Sequence, residues 1–204
     1  MIKAILFDLD GVLVNATEWH YEALNKALRL FGREIGREDH IKIYNGLPTT
    51  EKLKVMSEKG ELPWGVHEII KTLKRKYTDE QVFLNCKPNH EKQIMLSNLK
   101  RVGYKLAVVS NAQRYSVENM LRCSMTIDFF DYILGNDEGY KPKPAPDMYL
   151  AAFHFIKLKP REVVIVEDSP HGIEAAKRSG AKVLEVRGFE EVNSSLFYEE
   201  KLLK

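Results

Sequence analysis

The sequence predicts an α/β fold in which a parallel-sheet core carries an inserted α-helical cap domain. Three observations predict it: short β-branched apolar runs, helix-periodic stretches between them, and one interval too long for a single crossover. The runs at 2–7 (IKAILF), 104–109 (YKLAVV), 163–166 (VVIV) and 182–186 (KVLEV) read as buried strands, with a weaker one at 132–134 (YIL). Helical patterns closing at Gly103 and Gly180 lie between them, as right-handed crossovers in a parallel sheet require.

The long interval runs from the end of the first strand near Phe7 to the next near Tyr104. It opens with Asn15 and Glu18 at capping-box spacing, then places Trp19, Ala23, Leu24, Ala27, Leu28 and Phe31 on one helical stripe closed by Gly32. Further helices are expected at about 50–58 and 65–76, the latter with Val66, Ile69, Ile70 and Leu73 in register. The expected organisation is therefore a core of 1–14 and 86–204 with a cap of 15–85. The basic group Lys71, Lys74, Arg75 and Lys76 reads as the solvated side of the last cap helix.

A chain of 204 residues with 44% hydrophobic and 29% charged residues has enough apolar material for a core and no bias toward disorder. Lys plus Arg at 31 against Asp plus Glu at 29 leaves +2, which argues against nucleic acid or an anionic membrane as partner. Cys86 and Cys123 are too few for a disulfide framework and lack metal-site spacing, so a reducing, cytoplasmic location is expected. Asp8 and Asp10 interrupt the N-terminal apolar run before it reaches the length of a signal peptide, and no apolar stretch approaches about 18 residues.

Polar groups cluster where predicted strands end: Asp8-Leu9-Asp10-Gly11, Ser110-Asn111 and Glu167-Asp168-Ser169. In open parallel sheets the carboxyl ends of the strands form the ligand crevice. Four carboxylates gathered there would repel one another unless a cation sat among them. Oxygen donors without histidine or thiolate favour Mg²⁺, which commonly completes its shell with a substrate phosphate. Asp8 and Asp10 stand two residues apart, so one can meet the metal or attack phosphorus while the other exchanges a proton. Gly11 lets backbone N–H groups approach phosphoryl oxygens, Ser110 offers a hydroxyl, and Lys143 supplies a compact cation from the Lys143-Pro144-Ala145-Pro146-Asp147 segment. Taken alone, Ser110-Asn111 also reads as a helix N-cap, and Glu167-Asp168 as a cap of the helix bearing Ile173, Ala175 and Ala176.

Four motifs in order, DLDGVL at 8–13, SN at 110–111, KPAPD at 143–147 and VEDSPHGIEAAKRSGA at 166–181, resemble the haloacid dehalogenase-like superfamily over nearly the whole chain. The likeness is to its β-phosphoglucomutase and small-molecule phosphatase branch. The resemblance implies a Rossmann-like sheet with the first strand central. It also implies Asp8 as nucleophile, Asp10 as general acid/base, and Ser110 and Lys143 as catalytic ligands of the phosphoryl group. Mg²⁺ would be held by Asp8, the Asp10 backbone carbonyl, Asp168 and Glu167. Gly11, Asn111 and His20 are expected to bind substrate, His20 because the Thr17-Glu18-Trp19-His20 stretch looks like the cap linker of the mutases.

Two positions depart from the family pattern. Asn15-Ala16 stands where relatives carry Asp-Thr or Asp-Ser, and the loop Gly46-Leu47-Pro48-Thr49-Thr50 lacks the arginine that mutases place on a distal phosphate. Lys52 or Lys76 would replace that planar fork only as point charges. The expected function is a Mg²⁺-dependent phosphatase of a small phosphorylated metabolite such as a sugar phosphate, working through an aspartyl phosphate as a monomer or weak dimer. A β-phosphoglucomutase-like isomerase is the alternative.

Overall fold

The computed structural model describes residues 1–44 and 46–203. The chain forms two compact units, Met1–Asn15 with Cys86–Lys204, and Ala16–Asn85. In the first, β1 (Ala4–Phe7), β2 (Lys105–Val109), β3 (Tyr132–Leu134), β4 (Val163–Glu167) and β5 (Lys182–Glu185) make one sheet in the order β3-β2-β1-β4-β5. Every pairing is parallel. All four β1 residues are buried, which is why that run reads as continuously apolar.

Alternation along the strands divides the core into two apolar layers. Ala4, Leu6, Ala107, Val109, Val163 and Ile165 face a helical layer built on α7 (Asp147–Ile156) and α8 (Pro170–Arg178). On the other face Phe7 packs edge-on against Phe130 and against Phe197 of α9 (Ser194–Glu199), which neighbours α5 (His90–Val102). Gly103 closes α5 in the left-handed region at φ 101°, where a side chain would be strained.

Among the described residues, every regular element of the second unit is a helix or helical turn. α1 (Thr17–Arg29) packs along α4 (His67–Asn85), with α2 (Arg37–Asp39), a π-helical turn (His40–Tyr44) and α3 (Thr49–Glu58) completing it. Leu24, Ala27, Leu28, Ile35, Tyr44, Leu53, Met56, Leu62 and Ile70 form its core.

Several local expectations are corrected. The capping box at Asn15 and Glu18 does not form: α1 starts after Ala16 with no side-chain cap, and Glu18 pairs with Arg37 instead. Ile69 is exposed, because the face of α4 turned to the core carries buried Ile70 with partly buried Leu73 and Tyr77, and Ile69 sits about 100° from Ile70. That helix also runs on to Asn85 rather than ending near 76. Lys71 and Lys74 are half-buried, so only Arg75 and Lys76 of the basic group are fully on the solvated side. Among the described residues, no helix is long and apolar enough to cross a membrane.

Candidate active site

The sheet register brings the acidic residues together. Phe7 pairs with Val166, and the Asp8 N–H continues the ladder by donating to the Val166 carbonyl at 3.0 Å. Asp8 at the end of β1 therefore lies beside Glu167 at the end of β4, and Ser110 follows β2 at the same edge. Asp8, Ser110, Lys143 and Glu167 are all buried.

Lys143 is the hub of the cluster. Its Nζ donates to Asp8 Oδ1 at 2.6 Å, Glu167 Oε1 at 2.6 Å and the Val109 carbonyl at 2.7 Å. Burial opposes its charge, but Asp8 and Glu167 outweigh that and hold the ammonium above its usual range. The Glu167 carboxylate is further held by the Tyr149 hydroxyl, which donates to Oε1 at 2.5 Å. A side chain at Gly172 would collide with that carboxylate, so the first turn of α8 has room for it only because residue 172 is glycine.

Asp168 and Asp10 complete the charge pattern. Burial first, then Glu167 and Asp10, push Asp168 up to about 7. Asp8 is raised well above the carboxylate range, by burial first and then by Glu167, Asp168 and Asp10, with Lys143 opposing. Keeping Asp8 ionised in this setting would take added positive charge. Three observations fit a hard cation. Asp8, Glu167 and Asp168 bring carboxylate oxygens within 4.8 Å of one another; Asp168 Oδ1 is buried with no hydrogen-bond partner among the described residues; and Gly11, at φ 84°, leaves space that a Cβ would take from the Asp168 carboxylate. The Asp10 carboxyl lies outside this trio, at a turn where the Gly11 N–H donates to the Val14 carbonyl at 2.8 Å.

Neither capping alternative holds. Ser110 Oγ accepts from the Ala112 N–H at 3.0 Å, and α6 (Arg114–Cys123) begins only after Gln113. On α8 the cap is Ser169, whose side chain accepts from the Gly172 N–H, leaving Glu167 and Asp168 to the cluster. The Asn111 amide is committed to the Lys143 backbone: Nδ2 donates to the carbonyl at 3.1 Å and Oδ1 accepts from the N–H at 3.0 Å. That clamp fixes the segment from which the lysine reaches the carboxylates.

The family model for haloacid dehalogenase-like hydrolases matches residues 5–186. The chain belongs to that family. It is 32% identical over 197 residues, 96% of this chain and 90% of the relative, to a phosphoglycolate phosphatase of Aquifex aeolicus. A phosphorylated carbohydrates phosphatase of Thermotoga maritima is 29% identical over 184 residues, covering 88% and 82% of the two chains. The crystal structure of CbbY from Rhodobacter sphaeroides in complex with phosphate superposes with a TM-score of 0.81 at 27% identity, covering 93% of this chain and 88% of that one. This haloacid dehalogenase-like chain is thus a phosphoric monoester hydrolase on a Rossmann-like α/β fold.

His20 lies in the helical unit, on α1, where its Nδ1 accepts from Lys74 Nζ at 2.9 Å. Two residues that contribute to the hydrolase cluster were not singled out from sequence, Tyr149 and Gly172, and Ser169 was placed at its strand end without its capping role. Ser169 carried a legible signal, since Ser-Pro before an apolar helical pattern marks an N-cap.

Proposed function

We propose that the chain is a Mg²⁺-dependent phosphatase of small phosphomonoesters, a sugar phosphate or similar metabolite, working through an aspartyl phosphate. The observation that carries this reading is Lys143 bridging Asp8 and Glu167 with Asp168 alongside, a paired and partly unsatisfied anionic cluster at the carboxyl edge of the sheet. The phosphatases of A. aeolicus and T. maritima support the substrate class.

An Asp8 carboxylate oxygen attacks phosphorus, and the bond from phosphorus to the ester oxygen breaks. Asp10 gives its proton to the departing oxygen, then takes one from the water that hydrolyses the acyl phosphate. Lys143 and Ser110 stabilise the phosphoryl oxygens, and backbone N–H groups at Gly11 approach them closely. Mg²⁺, held by Asp8, Asp168, Glu167 and the Asp10 carbonyl, would offset the repulsion between nucleophile and phosphate. We assign substrate selection to the helical unit Ala16–Asn85, with His20 as a substrate-binding residue and Asn111 acting on Lys143 from the core.

The test is phosphorus NMR of the protein with Mg²⁺ and a panel of sugar phosphates, including a hexose 1-phosphate with a trace of its bisphosphate. Free phosphate is the expected product. Conversion of the 1-phosphate to the 6-phosphate without free phosphate would replace hydrolysis with isomerisation, despite the lack of an arginine in the loop near Thr49.

A further inference from the structure

The structure assigns Tyr149 as a positioning residue: its hydroxyl, together with Lys143, fixes one oxygen of Glu167 and so decides which oxygen is presented to the acidic cluster. This rests on the metal-dependent phosphatase reading above. Tyr149 is the third residue of α7 and fully buried; the other buried positions of that helix are Met148, Ala152, Phe153 and Ile156, all apolar. A phenylalanine would fill nearly the same volume, and a phenol belongs in an apolar layer only where its hydroxyl finds a partner. That partner is Glu167 Oε1, at 2.5 Å.

The geometry around Glu167 is asymmetric. Oε1 takes two strong donors, Tyr149 and Lys143, whereas among the described residues Oε2 has only the Ser169 hydroxyl at 3.4 Å. The backbone at Gly172 lies close behind the carboxylate. With Oε1 held from two directions, the carboxylate cannot rotate, and Oε2 is the oxygen left with capacity for a cation. Lys143 Nζ also lies 4.9 Å from the centre of the Tyr149 ring, so the same side chain shapes the path of the lysine. Removing the hydroxyl leaves Oε1 with a single flexible donor that it shares with Asp8.

The experiment is calorimetric titration of the metal-free full chain with Mg²⁺, for the unaltered protein, Tyr149→Phe, and the packing control Phe153→Leu. Outer-shell partners of metal ligands are worth roughly 10–100-fold in affinity, and Tyr149→Phe is expected to weaken Mg²⁺ binding about tenfold or more. Its kcat at saturating Mg²⁺ should fall with little change in KM, because the hydroxyl does not touch substrate. Phe153→Leu should lower the melting temperature and leave Mg²⁺ affinity unchanged. Mg²⁺ affinity in Tyr149→Phe within about twofold of the unaltered chain, or an equal loss in Phe153→Leu, would overturn the assignment and leave the phosphatase reading standing. No Mg²⁺ binding by the unaltered chain would overturn both.

Discussion

Asn25 in the helical unit and Asn111 in the core make the same contact and hold different things. Asn25 Nδ2 donates to the Ile35 carbonyl at 3.0 Å and its Oδ1 accepts from the Ile35 N–H at 2.9 Å, as Asn111 does with Lys143. In each case a side-chain amide replaces the backbone partner that an irregular segment lacks. What is held in the helical unit is an apolar side chain that joins the core; what is held in the other unit is a buried cation that joins two carboxylates. The same device serves packing in one place and electrostatics in the other.

The two units also differ in how they treat buried polarity. In the core Lys143, Asp8 and Glu167 satisfy one another, and the buried oxygen without a partner among the described residues, Asp168 Oδ1, belongs to the same charged cluster. In the helical unit His40 is buried against the Tyr21 ring, with neither ring nitrogen hydrogen-bonded among the described residues. A charged cluster at strand ends is justified by chemistry, and an unpartnered imidazole in a helical core lowers stability.

The largest effect is expected at the nucleophile. Asp8→Asn should abolish turnover, while Asp10→Asn should still bind substrate but fail to protonate the leaving group; steady-state kinetics and phosphate release check both. Next is the hub. Lys143→Met leaves Asp8 and Glu167 buried without their cation and should cost about 3–5 kcal/mol in denaturant unfolding of the metal-free protein, together with turnover.

The two asparagines then separate the roles. Asn25→Ala strands the Ile35 N–H and carbonyl and should cost about 3 kcal/mol of stability, with KM unchanged and apparent kcat lowered only through the folded fraction. Asn111→Ala should cost about 1 kcal/mol but lower kcat roughly 10–100-fold, because the lysine is no longer aimed. Equal effects of the two substitutions on kcat would dissolve the comparison.

A further effect, on stability alone, concerns acid. Burial first, then Lys52, lower His40 to about 4, so the folded state keeps it neutral where the unfolded chain would protonate it. The unfolded state binds more protons between the two values, and stability is lost as pH falls through that window, by about 2 kcal/mol between pH 7 and pH 5. His40→Phe should remove this part of the slope. An unchanged pH dependence of the melting temperature in that variant would show that His40 is not its source.

Strands and motifs were legible because a buried parallel sheet writes itself as continuous apolar runs, and 132–134 was found from three residues for that reason. The order of the strands came from resemblance, since no local pattern states which strand is central. The segment 37–44 was not legible: its buried members, His40 and Tyr44, follow neither helical nor strand periodicity. Tyr149 was hidden by its helix, where it reads as one more apolar position, and its partner Glu167 lies on a different element of the chain.

By itself the sequence determined the α/β class, the helical insert, which carboxylates and hydroxyl stand at strand ends, and which lysine precedes the helix beginning at Asp147, because burial and turns are local in their demands. Only the tertiary structure decided what each polar atom faces. Lys143 lies 135 residues from Asp8 and 24 from Glu167. Hydrogen bonds reach about 3 Å and are set by the packing of α7, α8 and β4, which no spacing along the chain encodes.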